Sequence, residues 1–243
     1  MNPTTANEGT IRYFNSMMKR IADEMHDKTG AFEINTPSAN GPNILDLCAA
    51  PGRFLEKALR VHPGSRGLGF TLDPAVGGHN PTLPNDLNVR LKFLDITMLA
   101  ADMGVAHSEI PAKHPDATNF LPRQLAQEES FDLVICDGQV LRQHPRASYR
   151  EDREACRLLT YMVAKHIQRH HPAALLAVET WKRRWRAATF GTDDVYSQVR
   201  LHGDADVDVI LDEFGWQLIR LGREIWNIQA QALSEAPFIK RWK

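Results

Sequence analysis

Asn43-Ile44-Leu45-Asp46-Leu47-Cys48-Ala49-Ala50-Pro51-Gly52-Arg53-Phe54 decides how this chain folds. Ile44 to Cys48 is a short apolar run broken by one carboxylate, the pattern of a buried strand with an acid near its carboxyl end. Ala49, Ala50 and Gly52 are small enough to let a ligand approach the backbone, and Pro51 stiffens the turn. From Arg53 onward Phe54, Leu55, Ala58 and Leu59 recur at helical spacing. Strand, tight small-residue loop, helix: the stretch reads as the first unit of a nucleotide-type site, with the ligand over the strand's carboxyl end.

Three later stretches repeat the strand pattern, each closing on an acid. Gly67 to Asp73 is the second strand, followed by Pro74 and the pair Gly77-Gly78. Asp73 has the chemistry to hold two adjacent ribose hydroxyls, because a carboxylate offers two acceptor oxygens; a turn cap explains it equally. Val89 to Asp95 alternates and forms the third strand. Phe131 to Gly138 forms the fourth, with Asp137 at its exit. Ile96 to Val105 is expected to be a short helix, and His107 to Glu129 an inserted loop rich in Pro, His and polar residues.

Helical patterns flank these strands. Ile11, Phe14, Met17, Met18, Ile21 and Met25 make one face of a helix between Glu8 and Lys28. Ser148-Tyr149-Arg150-Glu151 has the form of a capping box, and an apolar face follows to about His170. Ala173 to Val178 reads either as a fifth strand or as the start of a helix. Beyond it Thr192 suits a helix cap, and two further helical patterns run from Asp206 to Phe214 and from about Gly215 to Ala232. The expected organisation is a sheet domain over residues 1–178 with a helical region over 179–243 packed on it.

The chain has 243 residues, 43% hydrophobic and 24% charged, ordinary for a soluble globular protein. A net charge of -1 excludes any global attraction to nucleic acid, so contact with RNA needs local patches. Trp181 to Arg186, with Lys240 to Lys243, could grip a phosphate backbone and stack a base; a helix that buries its Trp side chains while its arginines stay wet gives the same pattern. Cys48, Cys136 and Cys156 form no CxxC pair, which argues for reduced thiols in an intracellular protein, cytoplasmic or nuclear. His166, His170 and His171 lack an acidic or Cys partner nearby, so no metal is expected. No run reaches membrane-spanning length.

The stretch from Asp46 to Gly52 resembles motif I of S-adenosylmethionine (SAM)-dependent methyltransferases. More narrowly it is similar to the FtsJ-like RNA ribose methyltransferases, whose run is close to D-L-x-A-A-P-G-G-F. Phe131-Asp132-Leu133-Val134-Ile135-Cys136-Asp137-Gly138 resembles motif IV of the same family. The resemblance implies an α/β, Rossmann-like sheet and SAM as cofactor, held by Asp46, Ala49, Ala50, Pro51, Gly52, Arg53, Phe54, Asp73 and Asp95. Asp95 falls where the family contacts the adenine amino group. The resemblance also implies a ribose 2'-hydroxyl of RNA as acceptor, with Asp137 catalytic and Lys19 in the place of a catalytic lysine on the first helix. Arg53 departs from the pattern; it stands where a second Gly is usual and could crowd the SAM carboxylate or pair with it.

Two parts of the family pattern have no counterpart. A seven-stranded sheet is usual, and four strands are readable here with a weak fifth. The family also places a Lys after motif IV, where this chain offers Glu179, and a Glu on a later strand, where Glu224 lies in a helical pattern. The region from Val178 to Phe238 resembles the helical tail of fungal FtsJ-domain proteins, which implies a member of that group lacking part of its catalytic domain. The alternative function is then a catalytically impaired remnant that binds SAM or a protein. An NAD-dependent enzyme is disfavoured, because Ala49-Ala50-Pro51-Gly52 lacks the G-x-G-x-x-G spacing.

Overall fold

The computed structural model describes residues 8–35, 41–126, 129–141, 144–170, 175–198 and 206–235. Arg142, His171, Ala173, Ala174, Val199, Leu201 and the Lys240 to Lys243 tail lie outside them, as do the side chains of His166 and His170. In chain order come α1 (Glu8–Thr29), β1 (Asn43–Asp46), α2 (Arg53–Val61), β2 (Arg66–Thr71), β3 (Val89–Phe93), β4 (Leu133–Ile135), α3 (Glu154–His170), α4 (Leu175–Phe190), α5 (Asp193–Ser197) and α6 (Val207–Ser234).

The four strands form one parallel sheet in the order β3-β2-β1-β4. Parallel neighbours need crossovers, and both faces of such a sheet must be covered, which is why β1 is apolar on both sides. Side chains alternate across the strand. Leu45 and Leu47 therefore point with Leu68, Phe70 and Val134 into a core closed by Leu158, Tyr161 and Met162 of α3 and Trp185 of α4. Ile44 and Ile135 point the other way, onto Leu55, Ala58 and Leu59 of α2 and Ala22 of α1. The fold is the expected α/β, Rossmann-like class. A Cβ on Gly69 would sit 2.6 Å from Leu91 and 2.9 Å from the Cβ of Ala49, so the bare backbone there lets the loop after β1 lie directly on β2.

Several local expectations resolve differently. Ile96 to Val105 forms no α-helix but two 3-10 turns, Ile96–Met98 and Ala101–Met103. Asp95 caps the first through Thr97 N, and Gly104, in a left-handed conformation, ends the second. This segment still supplies core: Leu99 and Met103 are fully buried. Asp102 ties it to the inserted loop by accepting from the N–H groups of Gln124 and Leu125. Ser148–Arg150 is a 3-10 turn, with α3 starting only at Glu154. The ambiguous Ala173 to Val178 run opens a helix, α4, from Leu175, as its Ala and Leu content favours. The two C-terminal patterns merge through Gly215 into the single α6, whose Ile228 and Ala232 pack on Met17 and Ile21 of α1. Among the described residues no helix is long and apolar enough to cross a membrane.

Candidate functional site

β1, β2, β3 and β4 all point their carboxyl ends at one cleft. Cys48, Ala50 and Pro51 form its floor after β1, Leu72 its side after β2, and Asp95 and Asp137 stand beyond β3 and β4. Asp95 and Asp137 each follow the last residue of their strand by two positions, Phe93 and Ile135. Gln139, Val140 and Leu141 close one wall, and Phe14 and Met18 of α1 reach in from another. The loop floor is fixed by its backbone. Ala50-Pro51 is cis, and Gly52 takes φ +105°, a left-handed value that other side chains adopt only under strain.

Asp46 lies beneath this floor, fully inside the protein, and accepts the Cys48 N–H at 3.0 Å. Burial pushes its carboxyl up to about 7, the Cys48 bond opposing the rise and Asp137 adding to it. Asp137 differs: its side chain reaches solvent, yet the cleft walls around it still raise its pKa by desolvation. No hydrogen-bond donor holds its carboxylate among the described residues. Cys136 beside it is pushed up to about 12 by burial and by Asp46, so it stays a thiol at neutral pH.

Asp95 is the opposite case, a carboxylate whose acceptors are filled. Oδ1 accepts from Thr97 N at 2.9 Å and Thr97 Oγ1 at 2.7 Å. Oδ2 accepts from Arg150 Nη2 at 2.6 Å and faces His144 Nε2 at 3.1 Å. Burial alone would raise this carboxyl, but His144, Arg150 and Thr97 more than offset it and hold it well below the usual range. His144 also places Nδ1 3.2 Å from the Val76 carbonyl. Both of its partners are acceptors, so both bonds require the doubly protonated ring. His144 thus pins the wall after β4 to the ends of β2 and β3.

A consequence can be measured by NMR. The bond to Asp95 raises the His144 pKa above its ordinary 6.5, against desolvation. A raised histidine contributes stability that is complete below the unfolded pKa and is lost as pH rises through the folded value. The His144 ring signals should titrate above 6.5, and Asp95→Asn should move the midpoint down. A midpoint unchanged by Asp95→Asn would dissolve the pairing.

A family model described as FtsJ-like methyltransferase matches residues 22–182, about two thirds of the chain. The chain belongs to the FtsJ-like methyltransferase family. No curated protein and no solved structure matches it.

The FtsJ-like family generally uses SAM, and the donor set of the cleft can be compared with that ligand. SAM is cationic at its sulfonium and ammonium ends. Asp137, a carboxylate unpaired among the described residues, beside small residues and a backbone floor, suits that end. The adenosine end is less ready. The cleft encloses about 140 Å³, below the roughly 300–1,000 Å³ of small-molecule pockets. Asp95 is already taken up by Thr97, Arg150 and His144.

The other FtsJ-like motif residues take varied places. Asp73 is exposed, caps the Pro74–Val76 turn through Ala75 N at 2.8 Å and does not line the cleft. Arg53 turns away from the cleft: its guanidinium forks to Glu56 at 2.6 Å and to Thr82 Oγ1 at 2.7 Å. Phe54 packs against Phe32, with ring centroids 6.0 Å apart. Lys19 points at Glu56, 3.8 Å away, with its side chain 59% exposed. One residue along a helix is a turn of about 100°, so Met18 lines the cleft and Lys19 does not.

Sequence reasoning missed His144 and Arg150 as partners of Asp95. His144 lies in the loop between β4 and α3, and Arg150 in the stretch read as a capping box. Their separation from Asp95, 49 and 55 residues, leaves no local signal. The basic-aromatic stretch lies on α4. Trp185 is fully buried, Arg184 stacks over Trp181 at 5.0 Å, and Lys182 pairs with Glu179 at 2.9 Å.

Proposed function

We infer that the chain is a SAM-dependent methyltransferase acting on a ribose 2'-hydroxyl of RNA, with Asp137 its catalytic residue. The observation that carries this reading is the carboxylate of Asp137, at the carboxyl end of β4, open to the cleft and unpaired among the described residues, in a chain of the FtsJ-like family. SAM supplies an electrophilic methyl group when bound. The Cys48 to Gly52 floor and Asp137 would hold its cationic end, and Asp95 its adenine once His144 releases it.

Asp137 has two roles open to it. As a carboxylate it orients the attacking hydroxyl, and with a pKa raised above its ordinary 3.8 it is a better proton acceptor than a solvated Asp. Positioning contributes most, since a hydroxyl aligned with the methyl group avoids much of the entropic cost of a two-body encounter.

A second reading, an impaired family member that binds SAM with little turnover, is favoured by one observation. Among the described residues no lysine lines the cleft, and Arg146, which does, is held by the Leu141 carbonyl at 3.0 Å and by Glu151 at 3.3 Å. A cation that stabilises the developing alkoxide is worth about 10²–10³ in rate. Two measurements separate the readings. Calorimetry with SAM should show binding under both. Methyl transfer from labelled SAM to total RNA should fall by about 10²–10³ in Asp137→Ala under the first. No SAM binding would sink both, and binding without Asp137-dependent transfer would leave the second.

A further inference from the structure

The loop after β2 turns a histidine, His79, into the cleft. Among the described residues, Thr71, Leu72 and His79 line the cleft from the β2 side. Thr71 is the buried last residue of β2, and Leu72 is apolar. Asp73, the acid expected to take ribose hydroxyls, does not line it, and its carboxylate accepts from Ala75 N. His79 is half-buried, and no described residue bonds to its ring.

Both sides of His79 are anchored. On one side Gly78 N donates to the Asp73 carbonyl at 3.0 Å, and a Cβ on Gly78 would overlap the Leu72 carbonyl oxygen. The backbone is thus folded hard onto the exit of β2, an approach that only glycine permits. On the other side Thr82 N donates to the Pro51 carbonyl at 3.0 Å, and Arg53 donates to the Thr82 hydroxyl at 2.7 Å. The arginine that stands where the family pattern has a second glycine therefore ties this loop to the floor of the cleft.

We propose that His79, in place of Asp73, holds the hydroxyls of the cofactor's own ribose; this rests on the reading of the cleft as a SAM site.

The order of groups across the sheet points to this role. In sheet order, Asp95 stands beyond β3, His79 beyond β2, the Cys48 to Gly52 floor beyond β1 and Asp137 beyond β4. SAM is built in a matching order: adenine, ribose, then the sulfonium with its amino-acid end. With Asp95 assigned to adenine, and the floor and Asp137 to the cationic end, the β2 position falls to the ribose. The chemistry agrees. Burial lowers the His79 pKa below its ordinary 6.5, so the ring is neutral at neutral pH. A neutral imidazole offers one donor and one acceptor, and so meets a hydroxyl in either sense. It adds no positive charge beside a cationic ligand.

The test is calorimetry of the full chain with S-adenosylhomocysteine, the cofactor after it has lost its methyl group, and with its 2'-deoxy and 3'-deoxy analogues. The wild type should bind the parent about 3–10-fold more tightly than at least one analogue, the worth of one hydrogen bond. His79→Ala should weaken the parent by the same factor and leave that analogue unchanged, so that the preference vanishes. His79→Asn keeps a donor and an acceptor and should restore part of it. Asp73→Ser keeps a side-chain oxygen for the Ala75 N–H but removes the carboxylate, and should retain the wild-type preference. A merely structural role for His79 would weaken parent and analogues alike. That result overturns the proposal, as does a preference that survives His79→Ala or is lost in Asp73→Ser. A wild type that binds SAM and S-adenosylhomocysteine with no ribose preference overturns the proposal and leaves the SAM site standing. A wild type that binds neither overturns the proposal together with the SAM site.

Discussion

Arg150→Met should cost about 3–5 kcal/mol of folding free energy, the usual penalty for breaking a buried ion pair from one side. Arg150 is 3% exposed and serves two carboxylates at once. Its Nη2 donates to Asp95 at 2.6 Å and to Glu154 at 2.5 Å, and its Nε donates to Glu154 at 2.9 Å. Arg157, fully buried, completes the cluster by donating to Glu154 at 2.8 Å and to the Thr97 carbonyl at 2.8 Å. Two cations and two anions are thus enclosed together. Methionine fills the space of the arginine stem but leaves two anions against one guanidinium and the His144 ring. Chemical denaturation should show the loss directly, and the melting temperature should fall by roughly 6–20 °C. Adding Asp95→Asn to Arg150→Met should return part of it, because one stranded charge disappears. A loss below about 1 kcal/mol would mean that water reaches the cluster and screens it.

Asp46→Asn should act in the other direction and only at higher pH. The folded protein holds the Asp46 carboxyl at about 7, against an ordinary 3.8. Below the ordinary value both folded and unfolded chains carry the proton, and the full stability is present. Between the two values the unfolded chain has released the proton while the folded one retains it, so stability falls as pH rises. Above about 7 the deficit is complete, on the order of 4 kcal/mol for a shift of this size. Asparagine keeps an oxygen for the Cys48 N–H and never ionises. Urea denaturation should therefore find the variant little changed near pH 4 and more stable than wild type at pH 8. Parallel pH profiles for the two proteins would show that Asp46 is not titrating in the folded state.

The sheet was legible because each strand carries its own evidence. Ile44 to Cys48, Gly67 to Asp73, Val89 to Asp95 and Phe131 to Gly138 are apolar or alternating runs with an acid at or near the carboxyl end, and all four became strands pointing at the cleft. What the sequence could not show is whether an acid is free. Asp95 and Asp137 stand at the same offset from their strands, yet four donors surround one and, among the described residues, none holds the other. Thr97 supplies two of the four from close by, but His144 and Arg150 come from elements remote in the chain, and local pattern does not report on them. Helix phase was the other limit. Lys19 was placed on the right helix, but a single residue's rotation decides between the cleft and Glu56. For Ile96 to Val105, the capping chemistry of Asp95 and Thr97 prevailed over the helical propensity of the residues between.

The position of β1 at the middle of the sheet also sets the timing of synthesis. Its partner β2 follows within a short stretch, but its other partner, β4, arrives much later; the bond from Asn43 N–H to Asp132 that closes this side spans 89 residues. At about 5–20 residues per second, a ribosome needs roughly 4–18 s to deliver that second neighbour. Throughout that interval Ile44 and Leu45 present an unpaired apolar edge on the nascent chain. The last seam of the sheet to close is therefore the one beside the cleft. Slow codons between Val89 and Phe131 would lengthen the exposure, whereas slow codons after Ile135 would give the completed sheet time to settle before α3 packs on it.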